Sequence, residues 1–117
     1  MQHHIVFNYL YRDASNYKSW GGVVVRTEQS LAFVEKISCE WRGRYFCAER
    51  LGVKDLRAEL WRWTAGLPNE DDHDLHEVES ISLATVDDIR ELPFVGALDT
   101  LLEKLKCASA VDEAFAP

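Results

Sequence analysis

The chain is short of the residues that interrupt regular structure. Three prolines and six glycines in 117 residues exclude collagen-like, proline-rich and glycine-rich disordered architectures. Cys39, Cys47 and Cys107 are odd in number and have no CxxC spacing, so neither a disulfide framework nor a zinc knuckle is implied, and the thiols read as reduced. No 18-residue apolar stretch occurs, and the apolar start of MQHHIVFNYLYRD is interrupted by Asn8 and Arg12 before it reaches signal-peptide length. Positive charge is also scarce: 13 Lys and Arg stand against 20 Asp and Glu, a net charge of -7. General nucleic-acid binding, which needs clustered cations to displace phosphate counterions, is thereby excluded. These absences lead us to expect a soluble, acidic protein of the cytoplasm.

What remains is the composition of a packed domain, 47% hydrophobic and 28% charged, at a length that builds one core without metal or disulfide staples. A single domain over 1–117 is expected, with 109–117 as a flexible tail.

Hydrophobic periodicity supplies the elements. Ile5, Phe7, Tyr9 and Tyr11 alternate over His4 to Tyr11 as one buried strand face does. Turn formers Asp13, Ser15, Asn16 and Gly21-Gly22 lead to a second strand at Val23-Val24-Val25, across a connection of about ten residues. From Glu28 to Trp41, Leu31, Val34, Ile37 or Ser38, and Trp41 recur at helical steps, with Thr27 or Ser30 as N-cap and Gly43 at the end. A third strand is expected over Asp55 to Trp63, where Leu56, Ala58 and Leu60 alternate against Trp61 and Trp63, and a fourth over Leu75 to Leu83. Thr85 to Asp88 has the form of a capping box, after which Ile89 to Leu105 keeps a helical face that Pro93 divides or kinks. The order ββαββα predicts an α+β fold: an antiparallel four-stranded sheet, helices mainly on one face, and an amphipathic C-terminal helix. Apolar residues on both sheet faces leave room for a homodimer.

Two segments concentrate polar chemistry. EDDHDLHE, residues 70–77, sets His73 and His76 among five carboxylates. If helical, it brings His73 to one face with His76 or Glu77, a geometry for a divalent metal, with His3, His4, Asp72 or Glu79 completing the set. If extended, His73 and His76 point to opposite faces, and one His is a hydrogen-bonded structural residue among solvated carboxylates. YRDASNYKSWG, residues 11–21, collects Arg12, Asp13, Asn16, Tyr17, Lys18 and Trp20, the residue mix of recognition surfaces. Its internal alternative has Asp13 and Asn16 capping a turn while Arg12 pairs with the acidic run. Neither a nucleophile elbow nor a phosphate-cradling loop is present.

With those residues on the page, the chain resembles a family of small uncharacterised bacterial cytosolic proteins. They share a Tyr-Arg-Asp-x-x-Asn-Tyr-Lys segment, here residues 11–18, and an Asp-His-x-x-His-Glu segment, here residues 72–77. The resemblance spans about residues 4–82 and leaves out the terminal helix. It implies no activity, but it marks Arg12, Asp13, Asn16, Tyr17, Lys18, Asp72, His73, His76 and Glu77 as the positions to test together. The expected function is therefore a non-enzymatic binding or regulatory module that contacts a protein partner, without cofactor. The alternative is a small hydrolase, metal-dependent or using His and carboxylate, built on EDDHDLHE.

Overall fold

A computed structural model describes residues 2–12, 18–56 and 75–109 of the chain. The first strand, β1 (His3–Arg12), pairs antiparallel with β2 (Lys18–Thr27) along its whole length, from His3 opposite Thr27 to Arg12 opposite Lys18. Lys18, Trp20 and Gly21-Gly22 are thus strand residues rather than part of a turn. The two glycines serve close packing: a β-carbon on Gly21 would lie 3.0 Å from the Tyr9 ring and from Leu56 Cδ2, and one on Gly22 would lie 3.1 Å from Leu92 Cδ1.

Helix α1 (Leu31–Trp41) begins at Ser30, whose Oγ accepts the Phe33 N–H at 3.1 Å. It buries Val34, Ile37, Ser38 and Trp41, and the chain leaves it through Gly43 at φ +82°, a left-handed conformation that glycine adopts without strain. Leu31, expected on the buried face, is exposed at the first turn.

Two short elements then arise where the sequence shows no period: β3 (Tyr45–Cys47) and α2 (Ala48–Leu51). The third strand expected over Asp55 to Trp63 falls mostly outside the described residues; Asp55 and Leu56, which are described, are not in a strand. β4 (Leu75–Leu83) has the expected bounds and lies between β1 and β3, antiparallel to both.

Thr85 and Asp88 form the expected capping box at the start of α3 (Val86–Glu91). Pro93 divides the following segment, but a strand separates the two helical pieces. β5 (Phe94–Ala97) runs parallel to β2 and leads directly into α4 (Leu98–Ser109). Among the described residues the sheet is consequently mixed and five-stranded, in the order β3-β4-β1-β2-β5. The antiparallel four-stranded ββαββα arrangement is corrected in two places, because three- and four-residue strands carry too little periodicity to register as such.

One sheet face makes the core. Ile5, Phe7, Tyr9 and Tyr11 of β1 join Val34 and Ile37 of α1, Leu51 of α2, and Leu98, Leu101 and Leu105 of α4 in one buried cluster. On the opposite face the connection from β4 to β5 passes over Gly22, where Leu92 packs, beside Asn8.

Candidate functional site

A bulge in β4 sets the site. Asn8 lies opposite Ser80 and Tyr9 opposite Val78, so Glu79 has no ladder partner on β1. The extra residue lets Val78 and Ile81, three apart, both face the core. It also explains why alternation in this strand is imperfect. The Ile81 N–H is held from the helical side by Ser38 Oγ at 3.0 Å.

Strand alternation sends His76 and Glu77 to opposite faces. His76 enters the core, fully buried, with ring centroids of Tyr11, Tyr9 and Phe46 at 5.3, 6.0 and 6.0 Å. Its Nε2 accepts the Leu56 N–H at 3.0 Å and lies 3.6 Å from Asp55 Oδ1. Accepting an N–H requires the lone pair on Nε2, so the ring is neutral with its proton on Nδ1. The shorter, buried contact decides this over the ion pair, which would need a proton at the same nitrogen. Tyr9 acts alongside, its hydroxyl donating to the Lys54 carbonyl at 2.8 Å. These two side chains pin Lys54 to Leu56 against β1 and β4.

Glu77 instead faces an open groove of about 450 Å³, lined by Leu10, Lys18, Trp20, Arg42, Glu79 and Ser80 among others. Leu10 lies opposite both Trp20 and Glu77 in the ladders, which fixes their adjacency. Leu10 is 5% exposed, whereas Trp20 is 58% exposed. Ser80 Oγ accepts from Asn8 Nδ2 at 3.1 Å, stiffening the groove floor. Arg42 reaches the rim from the end of α1, where the Gly43 N–H donates to the Val78 carbonyl at 2.8 Å.

Of the residues singled out from sequence, the structure brings Lys18, Trp20 and Glu77 together and separates them from His76. Asp13, Asn16, Tyr17, Asp72 and His73 lie outside the described residues, and for Arg12 only the backbone, paired with Lys18, is described. Arg12, Lys18 and Leu75 stand at one shared end of three neighbouring strands. Among the described residues no three His, Cys, Asp or Glu side chains converge as metal ligands would. Hydrolysis by His76 would require the Nε2 that already accepts the Leu56 N–H.

Sequence reasoning missed Leu10, Arg42, Glu79 and Ser80 as groove residues. Leu10 could have been found from strand alternation with Asn8, two positions before it. Glu79 and Arg42 depend on the bulge and on long-range pairing. Cys39 and Cys107 are exposed. Comparison with known protein families, curated proteins and solved structures gives no match.

Proposed function

We propose that the chain is a non-enzymatic binding module of the bacterial cytoplasm, and that the groove at Trp20 receives a protein partner. The observation that carries this reading is the exposure of Trp20 beside a hydrogen-bonded groove floor. A tryptophan presents some 150–250 Å² of surface. Covering its exposed part stabilises a complex by roughly 3 kcal/mol at 25 cal/mol per Å², about a hundredfold in affinity. Tryptophan is also enriched among residues that dominate interfaces.

The rim supports the same reading. Lys18 and Arg42 offer positive charge and Glu77 and Glu79 negative charge around one apolar anchor, an arrangement that orients a partner and rejects a miscast one. In this account EDDHDLHE has a divided role: His76 holds the fold, Glu77 faces the partner, and the neighbouring carboxylates steer a basic surface toward this end of the sheet. The two shared segments act together because they leave adjacent strands at the same end.

The test is comparative capture from a bacterial lysate with immobilised wild type, Trp20→Ala and, as a surface control, Leu31→Ala, read by quantitative mass spectrometry. We expect a small set of proteins retained by the wild type and the control and depleted at least tenfold by Trp20→Ala. Equal capture by all three removes the groove as the binding surface.

A further inference from the structure

β5 covers only the C-terminal half of the β2 edge. Its ladder partners on β2 are Val24 and Arg26, and among the described residues no strand lies beside Lys18 to Gly22 on that side. Pro93 is the cause. The Val24 N–H donates to the Pro93 carbonyl at 2.8 Å, and the next bond of a parallel ladder would run from the N–H of residue 93 to the Gly22 carbonyl. Proline has no N–H, and the Leu92 N–H is taken by the Asp88 carbonyl within α3 at 2.9 Å.

Register fixes which backbone groups are left. Val24 turns its N–H to β5 and away from β1, and the β1–β2 register is continuous from Lys18 to Val24, so alternate residues repeat that orientation. Gly21 and Val23 therefore bond to β1. Trp20 and Gly22 point both N–H and C=O away from it, two residues or about 6.8 Å apart. Beside them lies a cavity of about 260 Å³, lined by Trp20, Gly22, Val23, Leu56, Leu92 and Pro93 among others. It straddles the edge: Leu56 closes on Gly21 from the core side, and Leu92 closes on Gly22 from the opposite face.

From this we infer that the N-terminal half of the β2 edge is a site for an extended peptide segment. The segment pairs with Trp20 and Gly22 as an added strand and places one apolar side chain in the cavity. The inference rests on the reading of Trp20 as the anchor of a protein partner, and it states which kind of segment that partner presents. Donor and acceptor pairs repeating every two residues match an extended backbone, the recognition mode of strand addition. β5 already occupies the same edge in that manner, and the cavity stands where its next rung would fall. From Ser19 to Val24 the edge has no bulge, proline or charge, so it lacks the devices by which edges avoid other strands. Trp20, 58% exposed, borders both this cavity and the Glu77 groove, so one segment on the edge reaches its ring from the side that the groove leaves open.

The experiment is amide hydrogen exchange by NMR on the isotope-labelled full-length chain. It is measured alone and with peptides selected from a random library for binding that Trp20→Ala abolishes. Relative to their intrinsic rates, the Trp20 and Gly22 amides of the free chain should exchange at least tenfold faster than those of Gly21, Val23 and Val24. A saturating selected peptide should slow both by at least tenfold, and methylating the peptide's own amides should abolish binding at alternate positions only. Trp20 and Gly22 amides already protected in the free chain overturn the inference. So do peptides that depend on Trp20 yet leave both amides unprotected, a result that keeps the groove and removes the edge. A library without any Trp20-dependent binder counts against both.

Discussion

His76 and Trp20 reverse the usual placement of their types: a titratable ring is fully buried and a large aromatic lies mostly in solvent. Both were conspicuous in the sequence, but their roles were not. EDDHDLHE contains two histidines, and nothing local distinguishes a ligand from a structural acceptor; the Leu56 N–H that settles the matter for His76 is twenty positions away in the chain. Replacing His76 by Leu strands that buried N–H and should destabilise the protein by about 2–3 kcal/mol, as an unsatisfied buried donor does. Urea denaturation of His76→Leu beside His76→Gln, which keeps an acceptor, checks this, and the Gln variant should lose less. Ring nitrogen chemical shifts at neutral pH should show the proton on Nδ1. A proton on Nε2 would contradict the Leu56 bond.

At the scale of elements, long periodic segments were legible and short ones were not. β1 and α1 repeat their apolar residues over enough positions to announce both type and buried face, β4 announces its type and bounds but not its face, and Thr85 with Asp88 marks the start of α3 by side-chain chemistry alone. β3 and β5 have three and four residues, too few for a period, and owe their existence to the β4 and β2 edges they complete. The bulge at Glu79 likewise depends on pairing with β1. The interactions that join elements are testable singly. Ser38→Ala removes the acceptor for the Ile81 N–H between α1 and β4 and should cost about 1–3 kcal/mol, read as a lower urea midpoint with an unchanged slope. Thr85→Ala abolishes one half of the capping box. Its loss should be nearer 1 kcal/mol, with β5 and α4 retaining their amide protection, because α3 buries none of its residues.

For the whole molecule, the α+β class was legible and the strand order was not. Sequential strands usually pair, which the β1-β2 hairpin obeys, but β4 crosses to the far side of β1 and β5 returns beside β2 in parallel. The groove follows from that order: it needs β4 next to β1 to place Glu77 across from Leu10, and needs β2 on the other side to place Trp20 there. The sequence could name Lys18, Trp20 and Glu77 as candidates and could not bring them together. No described helix is long and apolar enough to cross a membrane.

The central claim, that the Trp20 groove receives a protein partner, is tested most directly by placing a photo-reactive phenylalanine analogue at position 20 and irradiating in living bacteria. The same analogue at Leu31, exposed on α1, serves as the control. The account predicts a discrete adduct from position 20, none of that mass from position 31, and loss of the adduct when Glu77 and Glu79 are both changed to Lys while the circular dichroism stays that of the wild type. Indistinguishable adducts from both positions, or none from position 20, would contradict it.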